Sequence, residues 1–442
     1  MLSQLFISFI ALLPCTAQAL QIADLPVTAL SPPVLPSAPT PAADLQKDNP
    51  SPLTLEEALA LAEKNSPRLH MAAARSARAA GAMTAAKAYT NPQVEFFGGH
   101  QDARDVPFPA VTGVLQHYAV YQTMEIPSER DARKRVASLA RVSSEFALDS
   151  ERLAVVANVK HAFYEVLRRK EEIEHAQENL SLVENLRRRV EVEVGVGEKG
   201  RLELTRAEAE LARANFILRS AQIEFANSIA RLRVAIAAPG DKDLDPRGSL
   251  EPPIQLQPLP ELREAVLSKH PVMEQARTDV QEAEATLEHQ RSLRLPQPVF
   301  YGEYEHQPDL TFWRAGVTIP LPIWDRRRGQ IQEATASIRE SSAARDQSQL
   351  EILSALERAY EQYQLADQQV KSLQAGSLHE AESAVDAAQS AYHFGERGIV
   401  EVLDAQRVLQ SVRGDLLDAQ YARQSALTDL EELGAITPGG RP

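Results

Sequence analysis

The chain has 442 residues, 44% of them hydrophobic and 24% charged, with a formal net charge of −14 at neutral pH and a single cysteine. That acidity argues against a nucleic-acid partner, which calls for a basic surface, and one cysteine excludes a disulfide framework within the chain. No run of 18 apolar residues occurs, so any membrane crossing must use β-strands closed into a barrel rather than helices.

Residues 1–19 read as an export signal. Leu5 to Leu13 form a short apolar core, and Ala17-Gln18-Ala19 is a small-x-small cleavage pattern ahead of Leu20, although no Lys or Arg precedes the core. Leu12-Leu13-Pro14-Cys15 spells a lipobox-like run, in which Pro14 is a poor residue before an acylated cysteine. With the signal removed, the mature chain carries no thiol. Residues 20–52 hold eight prolines and little periodicity, which predicts an extended tether.

From Leu53 onward the sequence contains itself twice. Pro67, Pro92-Gln93 and Phe96-Phe97-Gly98 return 204 residues later as Pro271, Pro296-Gln297 and Phe300-Tyr301-Gly302. Gly197-Glu198-Lys199-Gly200 returns 198 residues later as Gly395-Glu396-Arg397-Gly398. Each copy, 53–250 and 251–434, predicts helix, helix, strand, strand, long helix, tip, helix, with 435–442 as a tail.

In the first copy a helix starts after Thr54, with Glu57 completing a capping box, and a second starts at Pro67 and runs to Tyr89. Strands are expected at about 93–99 and 114–126, then a helical hairpin over 128–237. Its first arm has no proline or glycine from Ser128 to Val194, which at 1.5 Å per residue makes a helix of about 100 Å. In the second copy, helices at 259–269 and 271–294 precede strands at about 298–305 and 311–320 and a hairpin over 325–433, interrupted at Gly376.

The return helices share a heptad seam of large and small residues. Leu204, Leu211, Leu218, Phe225 and Leu232 interleave with Ala207, Ala214, Ala221, Ser228 and Ala235. The second copy repeats the pattern with Val402, Leu409, Leu416, Arg423 and Leu430, so that only Arg423 breaks it. Such a seam argues for coiled-coil packing at close approach.

The strands alternate. Trp313, Ala315, Val317 and Ile319 fall opposite Arg314, Gly316 and Thr318, a pattern shared by outer-membrane strands and by a soluble sheet with one wet face. Geometry separates the two. Four strands cannot close on themselves, an open sheet edge cannot sit in lipid, and helices of about 100 Å cannot be buried within one chain of this size. Three chains supply twelve strands and close one barrel.

These features resemble the outer-membrane factor family, the TolC-like exit ducts of Gram-negative efflux and secretion machines, from about Leu53 to Gly434. The most specific stretch, Gly395-Glu396-Arg397-Gly398-Ile399-Val400-Glu401-Val402-Leu403-Asp404-Ala405, is similar to the family's second tip almost position for position. The run Ile319-Pro320-Leu321-Pro322-Ile323-Trp324-Asp325-Arg326 is similar to the CzcC- and CusC-like branch that serves heavy-metal resistance pumps.

The resemblance implies a mostly α protein that, as a homotrimer, forms a 12-stranded outer-membrane β-barrel continuous with an α-helical barrel in the periplasm. It implies a periplasmic adaptor, an inner-membrane transporter of RND type and outer-membrane lipid as partners. It also implies a passive duct, not an enzyme, with no cofactor. Divalent or heavy-metal cations are the favoured cargo, against organic toxicants, drugs or secreted protein, and against a periplasmic coiled-coil adaptor or scaffold as a reading from another class.

Glu401 and Asp404 lie three apart on a helix and so face one way. Turned toward a threefold axis they make two stacked acidic rings, a device of cation-selective pores, and otherwise they are two ordinary surface acids. The resemblance favours the rings and places them at the periplasmic constriction. It assigns Tyr392, Arg397 and Glu203 to a latch between the tips, with Glu standing at 203 and 401 where the family representative has Asp, and Arg206 at the first-copy counterpart of Asp404. Adaptor docking falls on Gly197, Lys199, Gly200, Gly395 and Gly398.

Gly195-Val196-Gly197-Glu198-Lys199-Gly200 spells G-x-G-x-x-G, but it follows a helix rather than a strand and predicts no dinucleotide site. His100 with Asp102 and Asp105, and His306 with Asp309, read as polar loops rather than metal sites. No catalytic constellation and no metal centre is expected.

Overall fold

In the computed structural model, the described residues all fall within one unit that begins at residue 49. The structure describes residues 51–102, 111–239, 244–250 and 253–436, so the signal, Cys15, most of the tether and Asp105 lie outside the described residues. The described chain runs β1 Ser51–Leu53, α1 Leu55–Asn65, α2 Pro67–Lys87, β2 Gln93–Gln101, β3 Gly113–Thr123, α3 Pro127–Gly195 and α4 Arg201–Ala235. It continues through β4 Leu244–Pro246, α5 Leu259–Lys269, α6 Pro271–Ser292, β5 Val299–His306, β6 Thr311–Thr318 and α7 Arg328–Ser372. A π-helical turn over Leu373–Ser377 leads into α8 Leu378–His393, and α9 Ile399–Glu432 closes the chain.

Local chemistry accounts for the helix starts. The Thr54 hydroxyl accepts from the Glu57 amide at 3.3 Å while the Thr54 amide donates to the Glu57 carboxylate at 3.0 Å, a closed capping box. Pro67, Pro127 and Pro271 occupy first-turn positions, where a missing amide proton costs nothing. α3 has 69 residues, about 104 Å of helix at 1.5 Å per residue. It packs against α1, α2, α4, α6 and α9, and α7 packs against α6 and α9.

Along most of α4 the small residues of the seam are the buried ones, until Leu232 is buried near its end. Ala207, Ala214, Ala221 and Ser228 turn into the contact of α4 with its neighbours, while Leu204, Leu211, Leu218 and Phe225 are only half-buried at its margin. Small side chains let the helix backbones approach closely, and the larger ones close the sides. Arg423 does not breach the second seam, because Asp367 of α7 lies 3.4 Å from its guanidinium.

Two apolar clusters hold corresponding parts of the two halves. One gathers Val159, Phe163, Leu232 and Ile236 beneath α1, and the other gathers Leu262, Met273, Leu356 and Leu430 beneath α5. A parallel pair, β1 with β4, joins Ser51–Leu53 to Leu244–Pro246. Residues 51 and 52 therefore belong to a strand rather than to the tether expected there.

The main sheet has strand order β2-β3-β5-β6, all antiparallel, with β2 and β6 at its edges. Its register places Phe96, Tyr118, Tyr304 and Trp313 in one row across all four strands. That row shares a face with Val94, Val120, Phe300 and Val317, and the face is open, with Trp313 80% and Val94 77% exposed. The opposite face carries Glu95, His117, Glu303, Glu305 and Arg314. β3 stops at Thr123 and β6 at Thr318, short of the expected 126 and 320. The ladder ends where the partner strand β5 begins, at Val299, which pairs with both residues.

Candidate functional site

Both hairpin tips reverse on a glycine in the left-handed region, Gly197 at φ 84° and Gly395 at φ 72°, where a β-carbon would be strained. Gly200 and Gly398, in ordinary extended backbone, are the residues from which α4 and α9 start. A single apolar cluster of Leu186, Val190, Ala207, Tyr392, Ile399, Val402 and Leu403 brings the two tips together.

At the centre of this junction is Tyr392, 3% exposed. Its hydroxyl donates to the Glu193 carboxylate at 2.5 Å, and the Lys199 ammonium stands 5.3 Å from its ring centroid. Burial, followed by the Glu193 hydrogen bond and the charges of Glu193 and Glu203, pushes the phenol well above the ordinary tyrosine range. The hydroxyl therefore stays protonated and remains a donor at any physiological pH.

The residues expected to form the latch are only partly brought together. Tyr392 bonds Glu193 of α3 rather than Glu203 of α4. Glu203 lies close enough for its charge to act on Tyr392, yet its Oε2 is buried and makes no hydrogen bond. The Arg397 side chain is exposed at the turn, where its amide bonds the Ala391 carbonyl at 3.3 Å.

Glu401 and Asp404 are both exposed near the start of α9. Asp404 pairs with Arg407 at 3.2 Å, and Arg407 also reaches Glu210 of α4 at 2.7 Å. The Arg407 guanidinium thus ties α9 to α4, and its Glu210 hydrogen bond raises its proton affinity further. Arg407 stands three residues after Asp404, a helical charge spacing readable in the sequence. Glu193 and Glu210 carry no local signal, because their partners lie about 200 residues away.

Among the described residues, no three or more His, Cys, Asp or Glu side chains gather in a cluster able to enclose a metal ion, and no helix is long and apolar enough to cross a membrane.

A duplicated helical-hairpin chain with an aromatic-faced sheet at one point and two joined tips at another has the architecture of a TolC-like channel. Residues 262–434 match the family model described as outer membrane efflux protein. Over that stretch the chain matches a family of outer-membrane channels rather than enzymes, and the outer membrane is the location this likeness supports. The chain is similar to the cobalt-zinc-cadmium resistance protein CzcC of Cupriavidus metallidurans, at 25% identity over 86% of this chain and 90% of that protein. In fold it is similar to CusC, solved for its conformational changes on folding and transmembrane channel formation (TM-score 0.74, 18% identity, 86% of this chain and 91% of that one). The CmeC outer membrane channel of Campylobacter jejuni shares the fold as well (TM-score 0.75, 15% identity, 86% and 85%).

Proposed function

We propose that three copies of this chain form the exit duct of a tripartite efflux system for divalent or heavy-metal cations. The carrying observation is the sheet. Its β2 and β6 edges have no strand partner among the described residues, one face is apolar across all four strands, and an open edge is not tolerated in lipid. Joining β2 of one copy to β6 of the next closes twelve strands, turns the aromatic row outward and lines the lumen with Glu95, Glu303 and Glu305. The long helices then gather into a tube continuous with the barrel. The exposed stripe Leu202, Phe216 and Ile223 on α4 recurs at intervals that suit a helix of the next copy.

In this arrangement Glu401 and Asp404 form two acidic rings at the periplasmic end, and Tyr392–Glu193 with Arg407–Glu210 holds the tips closed. Arg397 and Glu203 stand beside that latch. Gly197, Lys199, Gly200, Gly395 and Gly398 present the turns to a periplasmic adaptor, which couples the duct to an RND-type transporter of the inner membrane. Cation cargo is supported by the acidic lumen and tip and by the likeness to a cobalt-zinc-cadmium resistance protein.

A strain lacking this chain should lose tolerance to zinc, cobalt or cadmium and keep its tolerance to dyes and detergents. The reverse pattern would assign the duct to organic toxicants. For the gate, Tyr392→Phe removes a donor to a carboxylate worth about 1.5–3 kcal/mol. The open fraction of reconstituted channels should then rise at least about tenfold, since 1.4 kcal/mol is one decade. Unchanged leak conductance would remove Tyr392 from the latch.

A further inference from the structure

His117 lies at the middle of β3 on the charged face of the sheet and is 6% exposed. Phe97, its partner on β2, stacks on its ring at 4.3 Å between centroids and 12° between planes. Glu305, its partner on β5, places a carboxylate oxygen 3.9 Å from Nδ1. On the other edge of the ring, Glu303 lies 3.9 Å from Nε2 and is itself paired with Arg314. Both distances are too long for hydrogen bonds, and the buried Nδ1 has no hydrogen-bond partner.

An imidazole nitrogen shut away from water and left without a partner has a cost unless something else occupies it. Its two edges differ. An imidazole that ligates through Nδ1 carries its proton on Nε2, here the edge that faces the Arg314-paired Glu303 carboxylate. Glu305 is bonded through Oε1 by the Gln307 amide at 2.7 Å, which leaves Oε2 turned toward Nδ1.

We propose that His117 Nδ1 and Glu305 Oε2 form a transit site for a borderline divalent transition-metal ion such as zinc or cobalt, one per chain, on the lumenal wall of the barrel. The proposal rests on the trimeric-barrel reading above, which makes this face the lumen. Bonds of about 2.0–2.2 Å around a tetrahedral ion bring N and O to roughly 3.4 Å apart. The present gap therefore closes by about half an ångström, within the swing of a glutamate side chain. An imidazole selects zinc, cobalt, nickel or copper over calcium and magnesium, which prefer oxygen alone.

Only two protein ligands converge, so an entering ion brings the rest of its shell with it as bound water. That is why these residues do not amount to an enclosing metal centre. It also suits a passive duct, because a site must hold the ion weakly enough to release it.

The test is equilibrium dialysis of zinc against the purified full-length protein in detergent with excess magnesium, with particle mass measured in parallel. The expected result is one saturable zinc per chain. Its affinity should fall at least about tenfold in His117→Gln, the loss typical even of outer-shell metal partners, and measurably in Glu305→Gln. His100→Gln, on the opposite face of the sheet, should leave it unchanged. Zinc binding unaltered by both His117→Gln and Glu305→Gln, or calcium displacing zinc at equal concentration, overturns the site. Should His117→Gln fail to assemble, Glu305→Gln alone decides it. A threefold particle with unaltered binding refutes only the site, whereas a particle that is not threefold refutes the barrel reading, whatever the zinc result.

Discussion

Val120→Arg should prevent the chain from assembling as a heat-stable trimer in the outer membrane, while Tyr121→Arg, one residue further along, should be tolerated. Val120 sits in the inner strand β3 between Val94 and Gly302, on the face that carries the aromatic row. Tyr121 points to the opposite face, beside Tyr301. An arginine on the lipid face of a barrel near the bilayer midplane costs about 2–4 kcal/mol. Threefold symmetry places three of them in one barrel, so the sum of about 6–12 kcal/mol rivals the entire stability of a typical domain. The measurement is heat-modifiable migration of membrane fractions from cells producing each variant. Equal assembly of both variants would mean that the apolar face does not meet lipid.

Val120 and Tyr121, both apolar, are told apart only by their register with β2 and β5. Strand alternation itself is a period of two and needs no partner to be seen, so Trp313, Ala315 and Val317 against Arg314, Gly316 and Thr318 were legible in the sequence. Thr54 with Glu57, the proline starts of α2 and α6, and the glycine tips were likewise visible, because each is a local rule acting within four residues. What escaped the sequence was decided by residues far away. β3 and β6 end where β5 begins, not where a following proline would end them. The β1–β4 pair is too short to show alternation and contains Pro52 and Pro246.

The interruption expected at Gly376 takes the form of a five-residue π-helical turn, which widens the helix by one residue without ending it. The tip follows the same logic. The resemblance carried by the second tip put forward Tyr392, Glu401 and Asp404, whereas Glu193, the acceptor of the Tyr392 hydroxyl, becomes visible only once the two tips are packed together. His117 was missed for a similar reason. A lone histidine in a strand signals nothing until Phe97, Glu303 and Glu305 are brought around it from two other strands.

Lys160→Met should be the most destabilising single change in the helical part of the protein. Lys160 on α3 is ion-paired with Glu431 on α9, and both side chains are less than a tenth exposed. Removing one member of such a pair takes the opposite charge away from the other in a poorly solvated site, at a cost of about 3–5 kcal/mol. The pair is the innermost rung of a ladder between the two helices. His161 faces Asp429 at 2.9 Å, and Arg168 faces Asp418 at 2.5 Å while lying over the ring of Tyr421. Burial and the charge of Glu165 push the Tyr421 hydroxyl up to about 12. Apolar contacts alone let long helices slide by a turn at small cost, but opposite charges along an antiparallel contact match in one register only. The double variant Lys160→Met with Glu431→Leu should therefore recover most of the stability lost by the single one, since a matched apolar pair is often as stable as a buried ion pair. Denaturant midpoints of the detergent-solubilised protein, followed by helical circular dichroism, measure both variants. If the single variant unfolds at the wild-type midpoint, the charge ladder does not hold α3 against α9, and the apolar contacts alone must set their register.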